Sequence, residues 1–339
     1  MECIAVINQK GGVGKTTTAV NLGAALGQRG RRVLMLDLDP QGHLTTHFGL
    51  DEAAPGRGIY EVLTRDLPLD DALHSYGKNL TIVPAQIDLA AAEVELVSVV
   101  GREVILRDTL AAAKKTYDLA IIDCPPSLGI LTLNALGAST RVLIPLQAHF
   151  LALQGAGKLF ETIALVSQRI NPALRVLGIV LCMYEAGTKL SAEVVADLQS
   201  FLDSSRAGHA PWRDAKIFEA RIRRNVKLAE CPSHGQSIFE YADKSNGAID
   251  YLALADEFLA ALSPQSQVVQ RATDEPAAPA SQPLPVQGSA PTVPQTVQSS
   301  SKARKPRPKT PPVAEGAPAD APNDKAQAKP ESEAVARAG

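Results

Sequence analysis

The stretch NQKGGVGKTT, residues 8–17, decides the fold of this chain. It continues the apolar run 3–8 and precedes residues 17–28, in which apolar side chains recur with helical spacing. A strand, a glycine-rich turn and a helix N-terminus in this order form a cradle for phosphate, because glycines let consecutive backbone N–H groups turn inward. Three glycines and two lysines at fixed places after a strand favour such a loop over an incidental surface turn.

The two lysines of this loop are arranged in an unusual way. The common pattern G-x-x-x-x-G-K-[ST] fails, because its first glycine would fall on Gln9, and the loop follows K-G-G-x-G-K-[ST] instead. We expect Lys15 to reach the β- and γ-phosphates of a nucleotide and the Thr16 hydroxyl to ligate Mg²⁺. The extra cation, Lys10, lies at the mouth of the loop. There it is placed to neutralise charge on a transferred phosphate, including one held by a second subunit.

Three aspartates at predicted strand ends accompany the loop. The run LDLDPQG places Asp37 and Asp39 two residues apart, and the run AIIDCPPS ends its strand in Asp123. Each aspartate alone is also typical of an ordinary turn after a strand. In open α/β sheets, however, ligands bind at the carboxyl ends of the strands, so the joint placement favours a site. Asp123 has the usual position of a carboxylate that holds Mg²⁺ through water.

Short apolar runs alternate with longer segments of helical period through residues 1–263. This alternation is typical of an α/β fold, in which helices cover both faces of a mostly parallel, twisted sheet of about seven to eight strands. The predicted strands are residues 3–8, 33–37, 80–83, 119–123, 142–145, 176–182 and 217–220. The predicted helices are residues 17–28, 104–113, 151–170, 190–202 and 247–262.

Residues 264–339 differ in composition from the rest of the chain. They hold 14 of the 24 prolines and no Phe, Tyr or Trp, which predicts a disordered Pro/Ala-rich tail after one domain at residues 1–263. The tail carries a net charge of +2 and the domain −4, so a nucleic-acid partner would need a local basic patch. The tail's basic run 302–309 fits a loose DNA tether and a solvated linker equally well.

Several residue types argue against other classes of protein. The cysteines lack C-x-x-C spacing, which predicts buried free thiols rather than a zinc site or disulfides. No signal peptide and no apolar run of roughly 18 residues is present, so we expect a cytoplasmic protein without a membrane partner. Histidines 43, 47 and 149 are expected at the surface or in loops rather than as metal ligands, and Trp212 as a packed loop aromatic.

The chain resembles the ParA/Soj family of chromosome- and plasmid-partitioning ATPases. These are P-loop NTPases of the deviant Walker-A class, which also holds the MinD cell-division proteins. The resemblance runs in family order through NQKGGVGKTTTAVNLG, VLMLDLDPQG, DLAIIDCPPSLG, VLIPLQ, LGIVLCMY, RNVKLAECPSHG and YADKSNGAIDYLALADEF. It implies ATP and Mg²⁺ as cofactors, slow hydrolysis, a homodimer with ATP, nonspecific binding to double-stranded DNA, a ParB-like centromere-binding partner and association with the nucleoid.

The resemblance also implies a role for individual residues. Lys10 would cross a nucleotide-sandwich dimer, Asp39 would orient the attacking water, and Asn225 would contact adenine. Asp37 and Asp123 would act on Mg²⁺ through waters. The nucleotide would be held by Lys10, Gly11, Gly12, Val13, Gly14, Lys15, Thr16 and Thr17, and DNA by Lys189, Arg221, Arg223, Arg224 and Lys227.

The chain departs from the family pattern in several places. The usual I-P-R-N is Ile222-Arg223-Arg224-Asn225 here, so arginine replaces the proline beside the adenine, and Y-D-P-K-S is YADKS at residues 241–245. One DNA-contacting arginine of the family falls on Gly187, with Lys189 two places away. The loop begins at residue 10, so we expect no preceding helix-turn-helix domain and no sequence-specific repression.

Other functions of the same fold stay open as alternatives. A MinD-like membrane-positioning ATPase would need a C-terminal amphipathic helix, which the Pro/Ala-rich tail disfavours. An iron–sulfur reductase would need a second cysteine to match Cys124, and a dethiobiotin-synthetase-type ligase would not carry the RNVKLAECPSHG and LDLDPQG segments. A ParA-like ATPase that positions a cytoplasmic cargo other than DNA has the same sequence features, so the cargo is not readable.

Overall fold

The computed structural model describes residues 1–50, 56–149 and 151–263, so the tail and its basic run lie outside the described residues. Within the described part, eight strands form one sheet, and seven of them match the predicted strands. The strands are β1 (Glu2–Val6), β2 (Val33–Asp37), β3 (His74–Tyr76), β4 (Leu80–Val83), β5 (Leu119–Asp123), β6 (Arg141–Gln147), β7 (Arg175–Cys182) and β8 (Lys216–Ile217).

The strand order is β3-β4-β2-β5-β1-β6-β7-β8. Every pairing in the described sheet is parallel except that between β3 and β4, so the expected mostly parallel sheet is confirmed. Strand β3 was not predicted, because it is a three-residue edge strand with partly exposed side chains. The last strand, predicted over residues 217–220, pairs with β7 only at Lys216 and Ile217.

Helices cover both faces of this sheet. The helices are α1 (Lys15–Gln28), α2 (His43–His47), α3 (Ile59–Thr64), α4 (Leu89–Glu95), α5 (Ile105–Ala112), α6 (Ile130–Ala138), α7 (Leu151–Arg169), α8 (Lys189–Ser205), α9 (Val226–Glu230), α10 (Ile238–Tyr241) and α11 (Asn246–Leu262). Helices α1, α5, α7, α8 and α11 match predicted segments. Helix α6 is too uniformly apolar to show a period, and the five remaining helices of four to seven residues have too few turns.

The core consists of one apolar layer on each face of the sheet. Ile4 and Val6 of β1 face one layer, which contains α1 and α11, and Ala5 and Ile7 face the other. Both faces of the central strands are buried, because a parallel sheet between two layers of helices has no solvated side. This burial leaves the carboxyl edge of the sheet as the place where polar side chains gather.

Predictions about single residues of the scaffold are confirmed. All four cysteines are buried free thiols. Trp212 packs with ring centroids 5.0 Å from Phe160 and 6.1 Å from Phe201, and its indole nitrogen donates to the Ser205 hydroxyl at 2.9 Å. None of the helices in the described ranges is both long and apolar enough to cross a bilayer.

Candidate functional site

The glycine-rich loop joins β1 to α1 at the carboxyl edge of the sheet. Gly12 and Gly14 have φ angles of 70° and 93°, in the left-handed region that glycine adopts without strain. Gly14 caps α1 without a side-chain hydrogen bond, so the first N–H groups of the helix stay available to an anion. The loop therefore has the geometry that the sequence predicts for a phosphate cradle.

Lys15 lies buried at the start of α1, over this loop. Its Nζ donates to the backbone oxygen of Lys10 at 3.3 Å. Burial lowers the pKa of Lys15, while the nearby carboxylates of Asp123 and Asp39 oppose that shift. An anionic phosphate would complete the set of partners that a buried ammonium requires.

Asp37, the last residue of β2, is completely buried and fully engaged in hydrogen bonds. Its Oδ2 accepts from the backbone N–H and the hydroxyl of Thr45 at 2.9 and 2.7 Å, and its Oδ1 accepts from the Asp39 N–H at 3.2 Å. Burial raises the pKa of Asp37 to about 6, against the effect of these hydrogen bonds. Thr45 was not singled out from sequence, although it follows Asp37 by eight residues on a short polar helix.

Asp123 ends the neighbouring strand β5 and is also completely buried. Neither carboxylate oxygen makes a hydrogen bond within the described residues. Burial and then the Asp37 carboxylate raise the pKa of Asp123 well above its ordinary value, while the adjacent Thr16 side chain lowers it. A hydrated divalent cation fits this arrangement, because it would satisfy the orphaned oxygens and reduce the repulsion between two buried carboxylates.

Asp39 lies two residues beyond Asp37 in the chain and faces the cavity described below. Its Oδ1 accepts from the Gln41 N–H at 3.0 Å, and its own N–H is bound to Asp37. The carboxylate is therefore held by its own turn and still reaches the space in front of the loop. The structure thus brings the three predicted aspartates together.

Lys10 is exposed at the mouth of the loop, as predicted. Its backbone N–H donates to Asn8 Oδ1 at 3.0 Å, and Asn8 Nδ2 donates to the Pro145 oxygen at 2.7 Å, which fixes the loop to the end of β6. The Lys10 Nζ contacts His149 Nε2. Asn8 is a positioning residue that the loop motif alone did not reveal.

A cavity of about 730 Å³ opens from the loop toward the segment after β8. Asn225 lines it and caps α9, its Oδ1 accepting from the Lys227 N–H at 2.9 Å. Val13 instead packs into the core. The lining residues are Gly11, Gly12, Gly14, Lys15, Thr16, Thr17, Asp39, Gln41, His43, Thr46, His47, Pro126, Cys182, Met183, Ile222, Arg223, Arg224, Asn225, Val226, Leu228, Ala229, Pro232 and Tyr251.

His47 corrects one expectation from sequence. It was expected in a surface or loop position, but it lies in α2 and is 1% exposed. Burial lowers the pKa of His47 to about 4, so the ring is neutral near pH 7. His43, on the same helix, is exposed as predicted. No group of three potential metal-ligating side chains occurs in the part of the chain that the structure describes.

The basic cluster, defined as Arg221, Arg223, Arg224 and Lys227, contains no acid in sequence, but the fold supplies acidic partners. Arg224 pairs with Glu185 at 2.9 Å and Lys227 with Glu230 at 2.9 Å. Both pairs are exposed.

The three other predicted DNA-contacting residues also have side-chain partners. Arg221 has no acidic partner among the described residues, and its Nη1 donates to the Tyr184 hydroxyl at 2.6 Å. Lys189 lies 3.9 Å from Glu193 at the start of α8. Asp250 forms an ion pair with Arg223. Neither the motif that contains Arg223 nor the one that contains Asp250 predicted this pair.

The loop, its helix and the carboxylates at this edge of a parallel sheet define the class of protein. It is a P-loop NTPase of the deviant Walker-A kind, because the second lysine precedes the glycines of the loop. A family model described as "AAA domain" matches residues 1–176.

Known proteins with similar sequences narrow the class further. The chain is 45% identical over 258 residues to the sporulation initiation inhibitor protein Soj of Bacillus subtilis (strain 168), covering 76% of this chain and 98% of that protein. It is 44% identical to the chromosome partitioning protein ParA of Myxococcus xanthus (strain DK1622), covering 78% and 89%. The chain belongs to the ParA/Soj family of partitioning ATPases.

A solved structure has the same fold. It is described as cobyrinic acid a,c-diamide synthase from Mycobacterium smegmatis with bound ATP analog and magnesium. It is 39% identical, covers 76% of this chain and 94% of that chain, and superposes with a TM-score of 0.64.

Proposed function

We propose that this chain is an ATP-dependent switch that dimerises with ATP, binds nonspecific double-stranded DNA in that state, and positions chromosome or plasmid DNA with a ParB-like partner. The observation that carries this proposal is the two-lysine loop, which opens onto a cavity faced by Asp39 and lies beside the buried Asp37–Asp123 pair. Relatives named for chromosome partitioning at 44% identity support it. We assign the ATPase domain to residues 1–263 and a separate tail to residues 264–339.

The loop residues would bind the triphosphate. Backbone N–H groups of Gly12 to Lys15 and the helix N-terminus offer donors and partial positive charge, and the Lys15 ammonium would meet the β- and γ-phosphates. Thr16 and Asp123 would hold Mg²⁺, directly and through water, with Asp37 behind them. The ion would supply neutralisation of the charge that develops on the phosphates. The homologous structure with bound ATP analog and magnesium supports this assignment.

Asp39 would orient the attacking water. One hydrogen bond to its backbone N–H and one to its Oδ1 hold Asp39 at the cavity, so its carboxylate can position a water without acting as a strong base. Lys10 does not line the cavity of its own subunit, and its ammonium lies at the mouth of the loop. In a dimer that joins two such mouths, each Lys10 would reach the nucleotide of the partner subunit. The dimeric state would then require both the bound nucleotide and the second subunit.

DNA would bind to the exposed cations near the cavity rim. The Arg224–Glu185 and Lys227–Glu230 pairs are exposed, and such pairs contribute only about 0–1 kcal/mol. Phosphate oxygens can therefore replace the carboxylates at little cost. Two copies of the cluster in a dimer would double the number of phosphates neutralised, which makes binding dependent on ATP and sensitive to salt.

The proposal is tested by measuring mass and DNA affinity together. Asp39→Ala is expected to be a dimer by light scattering with ATP and a monomer with ADP, and to bind a fluorescent duplex of arbitrary sequence only with ATP. A dimer that forms without regard to nucleotide would contradict the switch. DNA binding of equal strength with ADP would contradict the coupling.

Two other activities predict different results in simple assays. The synthase named for the homologous structure would turn over ATP with a carboxylate substrate, so stimulation by a carboxylate and not by DNA with a partner would favour it. A membrane-positioning ATPase would sediment with anionic vesicles when ATP is present. Cargo other than DNA would leave dimerisation intact while DNA binding is absent.

A further inference from the structure

Arg223 is attached to Asp250 by its side chain and its backbone at once. Its Nη2 donates to Asp250 Oδ1 at 2.6 Å, its Nε lies 3.1 Å from both carboxylate oxygens, and its backbone N–H donates to Oδ2 at 3.0 Å. The Asp250 side chain is 8% exposed, whereas that of Arg223 is 47% exposed. The pair therefore fixes both the plane of the guanidinium group and the backbone at Arg223. Of the two side chains, that of Arg223 is the one accessible to a ligand.

Helix α11, which carries Asp250, packs against α1. The next residue, Tyr251, lies fully buried with its hydroxyl 3.2 Å from the Thr18 hydroxyl on α1, the helix that follows the phosphate loop. Arg223 itself forms a parallel bridge to Tyr184 just beyond β7. The Arg223–Asp250 pair thus ties the segment that carries Asn225 to the helix that contacts α1.

The position of Arg223 in the cavity indicates which part of a bound nucleotide it would contact. Phosphates bound at the N-terminus of α1 would leave the base at the other end, which is lined by the apolar side chains Ile222, Leu228 and Pro232. Arg223 follows Ile222 directly in the chain and lines the same cavity. Its Nη1 makes no hydrogen bond to the described residues, and a guanidinium plane stacks well on aromatic faces.

We propose that Arg223 is a nucleotide-contacting residue whose guanidinium lies against the base or ribose of the bound nucleotide, and that Asp250 is its positioning residue. This inference rests on the proposed nucleotide binding at the loop. Because Asp250 already holds the arginine, little side-chain entropy is lost when the nucleotide binds. The family resemblance assigned Arg223 to DNA binding, and this inference assigns it to the nucleotide cavity instead.

Calorimetric titration of MgADP tests the proposal without requiring dimerisation or hydrolysis. Arg223→Ala is expected to raise the Kd about tenfold, and Arg223→Lys several-fold, because lysine keeps the charge but lacks the planar group. Asp250→Asn should also weaken binding, since it releases the arginine. Arg221→Ala is the matched control from the same basic cluster; its side chain does not line the cavity, and its Kd should stay within about twofold.

The double variant Arg223→Ala/Asp250→Asn separates two causes of weaker binding. Removing Arg223 alone leaves Asp250 as an unpaired, nearly buried carboxylate, which would itself repel an anionic nucleotide. If the double variant binds MgADP as tightly as the wild type, Arg223 merely neutralises Asp250 and the proposal is wrong. A Kd that stays about tenfold higher supports direct contact.

The remaining outcomes are also decisive. Thermal melts followed by circular dichroism show whether each variant folds; if the alanine variants do not, Arg223→Lys retains the ion pair and carries the test alone. Wild-type affinity in Arg223→Lys would then overturn the proposal. Failure of the wild type to bind MgADP would instead overturn the proposed function, and the inference with it.

Discussion

Asp37 and Asp123 are register partners at the carboxyl ends of the parallel strands β2 and β5, so two completely buried carboxylates stand side by side. Asp37 is satisfied by Thr45 and the Asp39 backbone, whereas neither oxygen of Asp123 has a hydrogen-bond partner in the described ranges. Two like charges in a buried site destabilise each other and the fold. A cation that joins the pair would therefore stabilise its doubly ionised form.

Replacing Asp123 by asparagine is expected to stabilise the nucleotide-free protein by roughly 1–2 kcal/mol, because it removes a buried carboxyl group whose ionisation the fold opposes. The same variant should lose the stabilisation that MgADP gives the wild type. Chemical denaturation with and without MgADP measures both effects. Asp118→Asn is the control: its partner Arg32 holds the pKa of Asp118 at about 2, so this change should not stabilise the protein.

The raised pKa of Asp37 predicts a pH dependence of the nucleotide-free protein. The folded state holds this proton up to about pH 6, whereas the unfolded chain releases it near its ordinary pKa of 3.8. Since the folded state binds more protons in this window, the contribution of Asp37 to stability is present below about pH 4 and is lost as pH rises through about 6. Asp37→Asn should reduce this slope, while the raised pKa of Asp123 keeps part of it, and an unchanged wild-type slope in the variant would contradict the assignment.

Lys15 and Asp39 should affect different steps. Lys15→Ala is expected to abolish nucleotide binding, because it removes the cation placed over the phosphate cradle. Asp39→Ala should bind ATP normally and lose hydrolysis, because only the positioned water is affected. Equilibrium binding and phosphate release measure the two steps separately. Hydrolysis at the wild-type rate by Asp39→Ala would show that another residue orients the water.

Lys10 should act between subunits. In the Asp39→Ala background, Lys10→Ala is expected to bind ATP yet stay monomeric in light scattering, since Lys15 already serves its own loop. Lys78→Ala provides the control, because that exposed lysine precedes β4 at the opposite edge of the sheet. An ATP-dependent dimer in the absence of Lys10 would assign this lysine to its own subunit.

DNA affinity should depend on Arg224 and on salt. Arg224→Ala is expected to weaken binding of the ATP state severalfold and to reduce the steepness of its salt dependence, as loss of a phosphate contact does. The control is Arg206→Ala, which breaks a comparable exposed pair with Asp203 on α8. Equal effects of the two variants would argue against a specific role for the basic cluster.

The basic run 302–309 is tested by a chain that ends at Ser263. If the run tethers DNA, this truncated chain should lose DNA affinity severalfold at low salt and keep its ATPase activity. Unchanged DNA binding, together with loss in Arg224→Ala, would confine the DNA site to the basic cluster.

His47 should destabilise the fold in acid. Its pKa falls from 6.5 in a free side chain to about 4 in the fold, so the unfolded chain binds the extra proton first. Stability is therefore complete above about pH 6.5 and declines by up to roughly 3 kcal/mol as pH falls toward 4. His47→Gln should lack this decline. Comparing the two unfolding curves at each pH isolates the histidine from the opposite effect of Asp37.

The long elements and the loop were predictable because their signals are local. Strands β2, β4 and β5 were predicted with the bounds that the structure has, since each is a continuous apolar run. Strand β3 was missed because three residues at an edge carry no pattern. The burial of His47 was missed because α2 spans only five residues, and its cover comes from segments far along the chain.

The sequence by itself determined the chemistry of the loop, because glycines that adopt positive φ and a helix that begins at Lys15 are properties of neighbouring residues. Only the tertiary structure decided which acidic side chain pairs with each arginine. Arg223 meets an acid 27 residues away and Arg224 an acid 39 residues away in the other direction. Electrostatic pairing acts over a few ångströms in space and leaves no trace in local sequence. The difference between an arginine fixed by a nearly buried acid and one paired only at the surface therefore emerges only when the chain is folded.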